Sequence, residues 1–170
     1  MGRSAASPLF WCINTQMNYI EFLDFPTVPE ELLDPISSIL DRPKIPSALR
    51  PTGGIWFQSK RINSTLCTWL TSVFPFEFVA QYQIIKCGLP IHRDKGRNLA
   101  YNYLLQHGGT NVVTSVYDNS RKILQCEIIP LKKWHKIEIH NLHGISGLDT
   151  EGARIALSIT PLSVINPVKN

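Results

Sequence analysis

The sequence predicts a mainly β fold: an antiparallel double-stranded β-helix, a cupin-like jelly roll, flanked on its N-terminal side by helices. Three features predict it. From Phe76 onward the chain breaks into short β-type runs, namely Phe76 to Cys87, Ile91 to Asp94, Leu99 to Leu105, Asn111 to Tyr117, Lys122 to Ile129, Lys136 to Asn141 and Ala153 to Thr160, punctuated by turn residues such as Gly108-Gly109. No long helical pattern lies between these runs, and parallel strands need such crossovers, so the strands are expected to pair antiparallel. The helix signals fall in the first 75 residues.

Residues 1–75 read as a helical and irregular lead-in, 76–160 as the β core and 161–170 as a C-terminal tail. At 170 residues the whole is expected to be one domain, large enough to bury a core without staples. In the lead-in, Asp34-Pro35 has the pattern of an N-cap followed by a first-turn proline, and Ile36, Ile39 and Leu40 follow at helical spacing, so a short helix runs to about Asp41. Pro43, Pro46, Pro51, Gly53 and Gly54 then break regular structure. A second helix is predicted over Ser64 to Phe74, where Leu66, Trp69, Leu70 and Val73 form one apolar stripe and Pro75 ends it. Asn63-Ser64-Thr65 matches a glycosylation sequon, but Asn63 or Ser64 is better read as the cap of this helix.

Composition narrows the function classes. The formal charge of +4 is modest and the Lys and Arg residues are scattered, which argues against nucleic acid or an anionic membrane as a partner. The N-terminus lacks the apolar stretch of a signal peptide, and no segment has the length to span a bilayer. Cys12, Cys67, Cys87 and Cys126 form no CxxC pair, and three lie in apolar segments, so buried free thiols are expected. Together these predict a soluble cytoplasmic protein.

Candidate chemistry gathers in the second half. In His92-Arg93-Asp94 the outer two side chains project to one face if the segment is extended, so both can grip one ion. His143, in Asn141-Leu142-His143-Gly144-Ile145, is the best-placed third ligand, although a strand bulge could turn His140 inward instead. Two imidazoles and a carboxylate with open positions are the ligand set of non-heme Fe(II) oxygenases. Charge counting then gives Arg154 a role: a dicarboxylate 2-oxo acid on such a centre leaves a net negative charge that one buried cation neutralises, and a guanidinium pairs both oxygens of a carboxylate. His107 and His135 lie beside a turn and a loop and are not expected as ligands. Arg97 faces either substrate or a surface carboxylate. A kinase catalytic loop is excluded, because it places four residues between Asp and Asn where Asp94 and Asn98 have three between them.

The order of HxD, a distal His and an Arg eleven residues beyond it resembles the 2-oxoglutarate- and Fe(II)-dependent dioxygenases, of prolyl- and aspartyl-hydroxylase type, over roughly residues 76–160. The resemblance implies Fe(II) on His92, Asp94 and His143, with 2-oxoglutarate and O2 as cosubstrates. It further implies that Arg154 holds the far carboxylate of 2-oxoglutarate, that Tyr82 in Phe78-Val79-Ala80-Gln81-Tyr82 hydrogen-bonds it, and that Asn102 faces it from the third core strand. Some relatives carry a Ser two residues after the Arg, where this chain has Ala156; Ser158 lies two further on. The activity implied is hydroxylation of an amino-acid or peptidyl side chain, with release of succinate and CO2. Trp56, Phe57 and Trp134 are candidate lining residues, with core packing as the alternative. Two other functions fit the same letters: a non-catalytic jelly-roll binding module, and a dioxygenase acting on a nucleobase or small metabolite.

Overall fold

The computed structural model describes residues 18–41, 45–46, 57–86 and 88–164. In chain order these form β1 (Ile20–Leu23), a 3-10 turn (Glu30–Leu32), α1 (Ile36–Asp41), β2 (Ile45–Pro46), β3 (Phe57–Arg61), α2 (Ser64–Val73) and β4 (Phe78–Lys86). Then follow β5 (Leu89–His92), β6 (Leu99–Gln106), β7 (Val113–Tyr117), β8 (Ile123–Glu127), β9 (Trp134–Glu138), β10 (Leu142–Ser146), β11 (Ala153–Pro161) and a final 3-10 turn (Leu162–Val164). A seven-stranded sheet runs β1-β9-β6-β11-β4-β3-β2 and a four-stranded sheet runs β5-β10-β7-β8. Every strand pair is antiparallel, and the fold is the expected jelly roll.

The lead-in is less helical than expected, because β1 forms one edge of the large sheet and β3 and β2 extend its other side, with Pro46, expected to break regular structure, in the edge strand β2. In the core, β10 is a strand without a matching run in the sequence: only five residues long and interrupted by Gly144, it shows no usable alternation.

Strand β11 lies inside the large sheet and is buried along its whole length, which explains its unbroken apolar character. Its odd residues Ile155, Leu157 and Ile159 face outward with Tyr82, Ile84, Tyr103 and Trp134, and this face packs under Ile39 of α1 and Leu66, Leu70 and Phe74 of α2 and its end. Its even residues face the other sheet, where Ala156, Ala100, Leu104 and Ile137 meet Val116 of β7. Side-chain direction in this sheet is therefore a matter of parity.

Helix α2 starts where the Asn63 side chain accepts the Leu66 N–H at 2.8 Å, and Asn63 Nδ2 also donates to Leu32 O at 2.9 Å. Leu66 and Leu70, one turn apart, are its buried residues. Cys67 lies off that stripe and is exposed, as is Cys126 on β8, so these two thiols are not the buried ones expected. Cys12 and Cys87 lie outside the described residues, as does Trp56.

One side chain joins the edges of the two sheets. Gln125 of β8 accepts the Ile20 N–H at 2.9 Å through Oε1 and donates to the Ile20 carbonyl at 3.0 Å through Nε2. Among the described residues, no helix is long and apolar enough to cross a membrane.

Candidate metal centre

Strands β5 and β10 pair so that His92 and His143 stand directly opposite each other. Cross-strand neighbours share a face of the sheet, and here both rings turn inward with centroids 4.3 Å apart. A close approach of the strands makes this possible. A Cβ on Gly144 would lie 3.0 Å from the Leu89 carbonyl oxygen, so the residue after His143 must be small. The register shift in this pair falls after His143, and His143 keeps the inward place. His140 is exposed in the turn after β9, beside the Asn141 amide.

Asp94 arrives differently from the extended segment expected, since β5 ends at His92. The Asp94 N–H donates to the Ile139 carbonyl at 3.3 Å, anchoring the irregular chain against the residue that follows β9. Arg93 turns outward to the Asn119 side chain. One ligand atom from each of His92, Asp94 and His143 lies within 4.8 Å of the others.

The hydrogen bonds around these groups prepare them for a cation. His92 Nδ1 lies 2.8 Å from the Pro90 carbonyl and His143 Nδ1 lies 3.0 Å from the Asn141 carbonyl. A carbonyl only accepts, so each Nδ1 is the donor, and in a neutral ring the Nε2 lone pair is left free. Backbone-oriented imidazoles of this kind are the usual support of metal-binding histidines. Asp94 Oδ1 sits 3.2 Å from His92 Nε2 and 3.9 Å from His143 Nε2, is buried, and has no well-formed hydrogen bond. The donors point at a common space, and two imidazole nitrogens with one carboxylate oxygen around it fit a divalent transition metal.

Charges follow the same plan. Burial, and then the neighbouring His92, lower the His143 imidazole to about 4, so it is neutral at pH 7. Burial alone would raise the Asp94 carboxyl, but the adjoining His92 ring and the Arg97 charge outweigh it and hold the group at about 2. Burial likewise opposes protonation of His92, yet the neighbouring Asp94 carboxylate and the Pro90 carbonyl shift this ring upward. Arg97, expected to face substrate or a surface carboxylate, instead pairs with the buried Asp94 carboxylate, through Nε at 2.7 Å and Nη2 at 2.6 Å, both to Oδ2.

Arg154 projects from β11 into the cavity that His92, Asp94 and His143 also line. It is 4% exposed, and its Nη1 has no hydrogen-bond partner among the described residues. Burial pushes the guanidinium down to about 10, with no acid group to offset it. Asn102 and Thr114 line the same cavity with unpartnered oxygens. His135 and Gln83 line it too. The His135 ring, lowered to about 4 by burial and by the Arg154 charge, is neutral at pH 7.

Tyr82 does not reach this cavity. Arg154 is paired with Ile85 and Tyr82 with Leu157, so Tyr82 has the opposite parity and lies in the outer core, where its hydroxyl accepts the Asp34 N–H at 3.0 Å. Tyr82 is therefore not placed for the cosubstrate contact expected of it; Gln83 and Ile85 are the β4 side chains that line the cavity. Trp134 also belongs to the outer core, its Nε1 donating to the Pro26 carbonyl at 2.9 Å. Ser158 shares the inward parity of Arg154 and is paired with Asn102, but it does not line the cavity. The inward places of Thr114 and His135 carried no motif; once Asn102 is set inward, its pairing with His135 would have found the latter.

No family model matches the chain, and no curated protein does. Among solved structures, an oxidoreductase of the 2OG-Fe(II) oxygenase family from Burkholderia pseudomallei superposes with a TM-score of 0.50 at 9% identity, over 73% of each chain. The likeness is one of fold. Fe(II)-HppE with the alternative substrate (S)-1-HPP gives a TM-score of 0.48 at 11% identity over 72% of this chain. Hydroxypropylphosphonic acid epoxidase from S. wedmorenis gives 0.44 at 11%. This chain spans a little over half of those two, 57% and 56%.

Proposed function

We propose that this chain is an Fe(II)- and 2-oxoglutarate-dependent dioxygenase that hydroxylates an amino-acid or peptidyl side chain. One observation carries the reading: a buried guanidinium with an unmet donor shares a cavity with three converging metal-ligand atoms. A charge kept out of water without a partner is costly, so its natural complement is an anionic ligand. A dicarboxylate 2-oxo acid would offer one carboxylate to Arg154 and leave its 2-oxo acid end for a metal held by His92, Asp94 and His143.

When bound, iron with 2-oxoglutarate and O2 supplies an oxidation in which one oxygen atom enters a substrate C–H bond and the other, with loss of CO2, ends in succinate. The chain's own residues hold and orient. His92, Asp94 and His143 bind the ion, the first two from either side of Arg93 and the third from the neighbouring strand. Arg154 pairs with the far carboxylate, and Asn102, Thr114 and neutral His135 surround it with polar atoms that add no further charge. Ala100, Ile137 and Ile139 wall the cavity with apolar surface, which excludes water and strengthens the Arg154 interaction. The choice of an amino-acid side chain as substrate rests on the segment Asn141 to Gly147, which resembles that of the hydroxylases; Tyr82, in the outer core, lends it no support.

Anaerobic addition of Fe(II) and 2-oxoglutarate is expected to give the weak visible charge-transfer band of the chelate. Asp94→Ala is expected to lose that band and the conversion of 2-oxoglutarate to succinate. A metal-loaded wild-type protein without the band would overturn the proposal in favour of a binding module. A mass-spectrometric screen of amino acids and peptides for one added oxygen atom tests the substrate class.

A further inference from the structure

The Asp94 carboxylate is used asymmetrically. Oδ1 faces the two imidazole Nε2 atoms at 3.2 and 3.9 Å, whereas Oδ2 is taken by Arg97 through both Nε, at 2.7 Å, and Nη2, at 2.6 Å. The third guanidinium nitrogen, Nη1, donates to Thr160 Oγ1 at 3.2 Å on β11 of the large sheet. Arg97 therefore ties the metal-side loop to the opposite sheet while two of its N–H groups close on one carboxylate oxygen. The local sequence makes this fold-back possible: Gly96 has φ +82°, a left-handed conformation that favours glycine, and the turn returns Arg97 to the residue three before it.

We propose that Arg97 is a positioning residue that makes Asp94 a one-oxygen ligand and so keeps a coordination position of the metal open. This rests on the metal centre proposed above. Three protein atoms leave room for incoming ligands. The protein atom best able to close that room is the second oxygen of the same carboxylate, and a fixed pair of charge-assisted hydrogen bonds withholds it. The planar fork matters here as well as the charge, because an ammonium offers no paired, parallel donors.

Binding of Co(II), followed by its visible absorption, tests this without turnover. Arg97→Met is expected to change the position and intensity of the cobalt bands as the freed Oδ2 joins the ion, and to move the Co(II) affinity about 10-fold away from that of wild type. Arg97→Lys is expected to recover part of the wild-type affinity and to keep the altered spectrum. Wild-type affinity and spectrum in Arg97→Met would overturn the inference while leaving the metal centre in place. Absence of Co(II) binding in the wild-type protein would overturn both. If circular dichroism shows that Arg97→Met does not fold, Arg97→Lys decides: a wild-type cobalt spectrum in that variant overturns the role given to the fork.

Discussion

Replacing Arg154 by methionine is expected to stabilise the ligand-free protein while removing its affinity for 2-oxoglutarate. In the folded chain the guanidinium is 4% exposed and burial lowers it to about 10. A folded-state pKa below the unfolded one means that folding disfavours the charged form. The penalty is therefore present in full at every pH below about 10 and disappears only as pH rises from there to the ordinary arginine range. At 1.36 kcal/mol per pKa unit it is about 3 kcal/mol at neutral pH. Methionine is similar in length, apolar and flexible enough to fill the space, so most of that penalty is removed without opening a large void. For a chain of this size about 3 kcal/mol corresponds to a rise of about 6–12 °C in the melting temperature. Urea denaturation and thermal melts of the metal-free proteins measure it. Addition of 2-oxoglutarate with Mn(II) is expected to raise the wild-type melting temperature and leave that of the variant at its Mn(II)-only value. A variant no more stable than wild type would refute the reasoning, because the guanidinium would then have a partner in the folded state.

Acid is expected to weaken the fold through His135, whose folded imidazole lies at about 4 against an ordinary 6.5. The unfolded chain binds the proton first, so stability is complete above about pH 6.5 and falls by about 3 kcal/mol as pH drops towards 4. Urea midpoints at pH 7.5 and 4.5 for wild type and His135→Gln check this, the variant showing a shallower loss; equal slopes would count against it. Gly144→Ala forces a methyl to 3.0 Å from the Leu89 carbonyl and 3.4 Å from the Ile91 N–H. It is expected to cost about 1–3 kcal/mol by overpacking and to weaken Co(II) binding by parting the two histidine strands. A variant with wild-type stability and cobalt affinity would show that the strands have slack.

The β core was legible because its apolar runs are short and lie without helices between them. Such runs report strands directly. His92, Asp94 and His143 could be picked out because metal ligation demands particular residue types, whereas the close strand approach at Gly144 that sets His143 opposite His92 is visible only in the pairing of β5 with β10. Other features depend on parity and register, which a sequence states weakly. Tyr82 and Gln83 are adjacent, and a one-residue difference in register decides which enters the cavity. β10 is too short to show a period, and β1 draws its order from pairing with β9, a contact far away in the chain. The pairing of Arg97 with Asp94 was not foreseen from sequence, because the turn that brings it back to the residue three before it depends on the backbone angle at Gly96.

The double hydrogen bond between Gln125 and Ile20 has a bearing on how the protein keeps to itself in a crowded solution. A primary amide carries the same donor and acceptor as a peptide unit, so this glutamine occupies the bonding positions on the outer rim of β1 that a strand from another molecule would seek. It also belongs to β8, the rim of the smaller sheet, and so blunts one open border with a group borrowed from the other. The Ile20 end of this edge is thereby covered by a single uncharged residue, where many β proteins rely on lysine or proline.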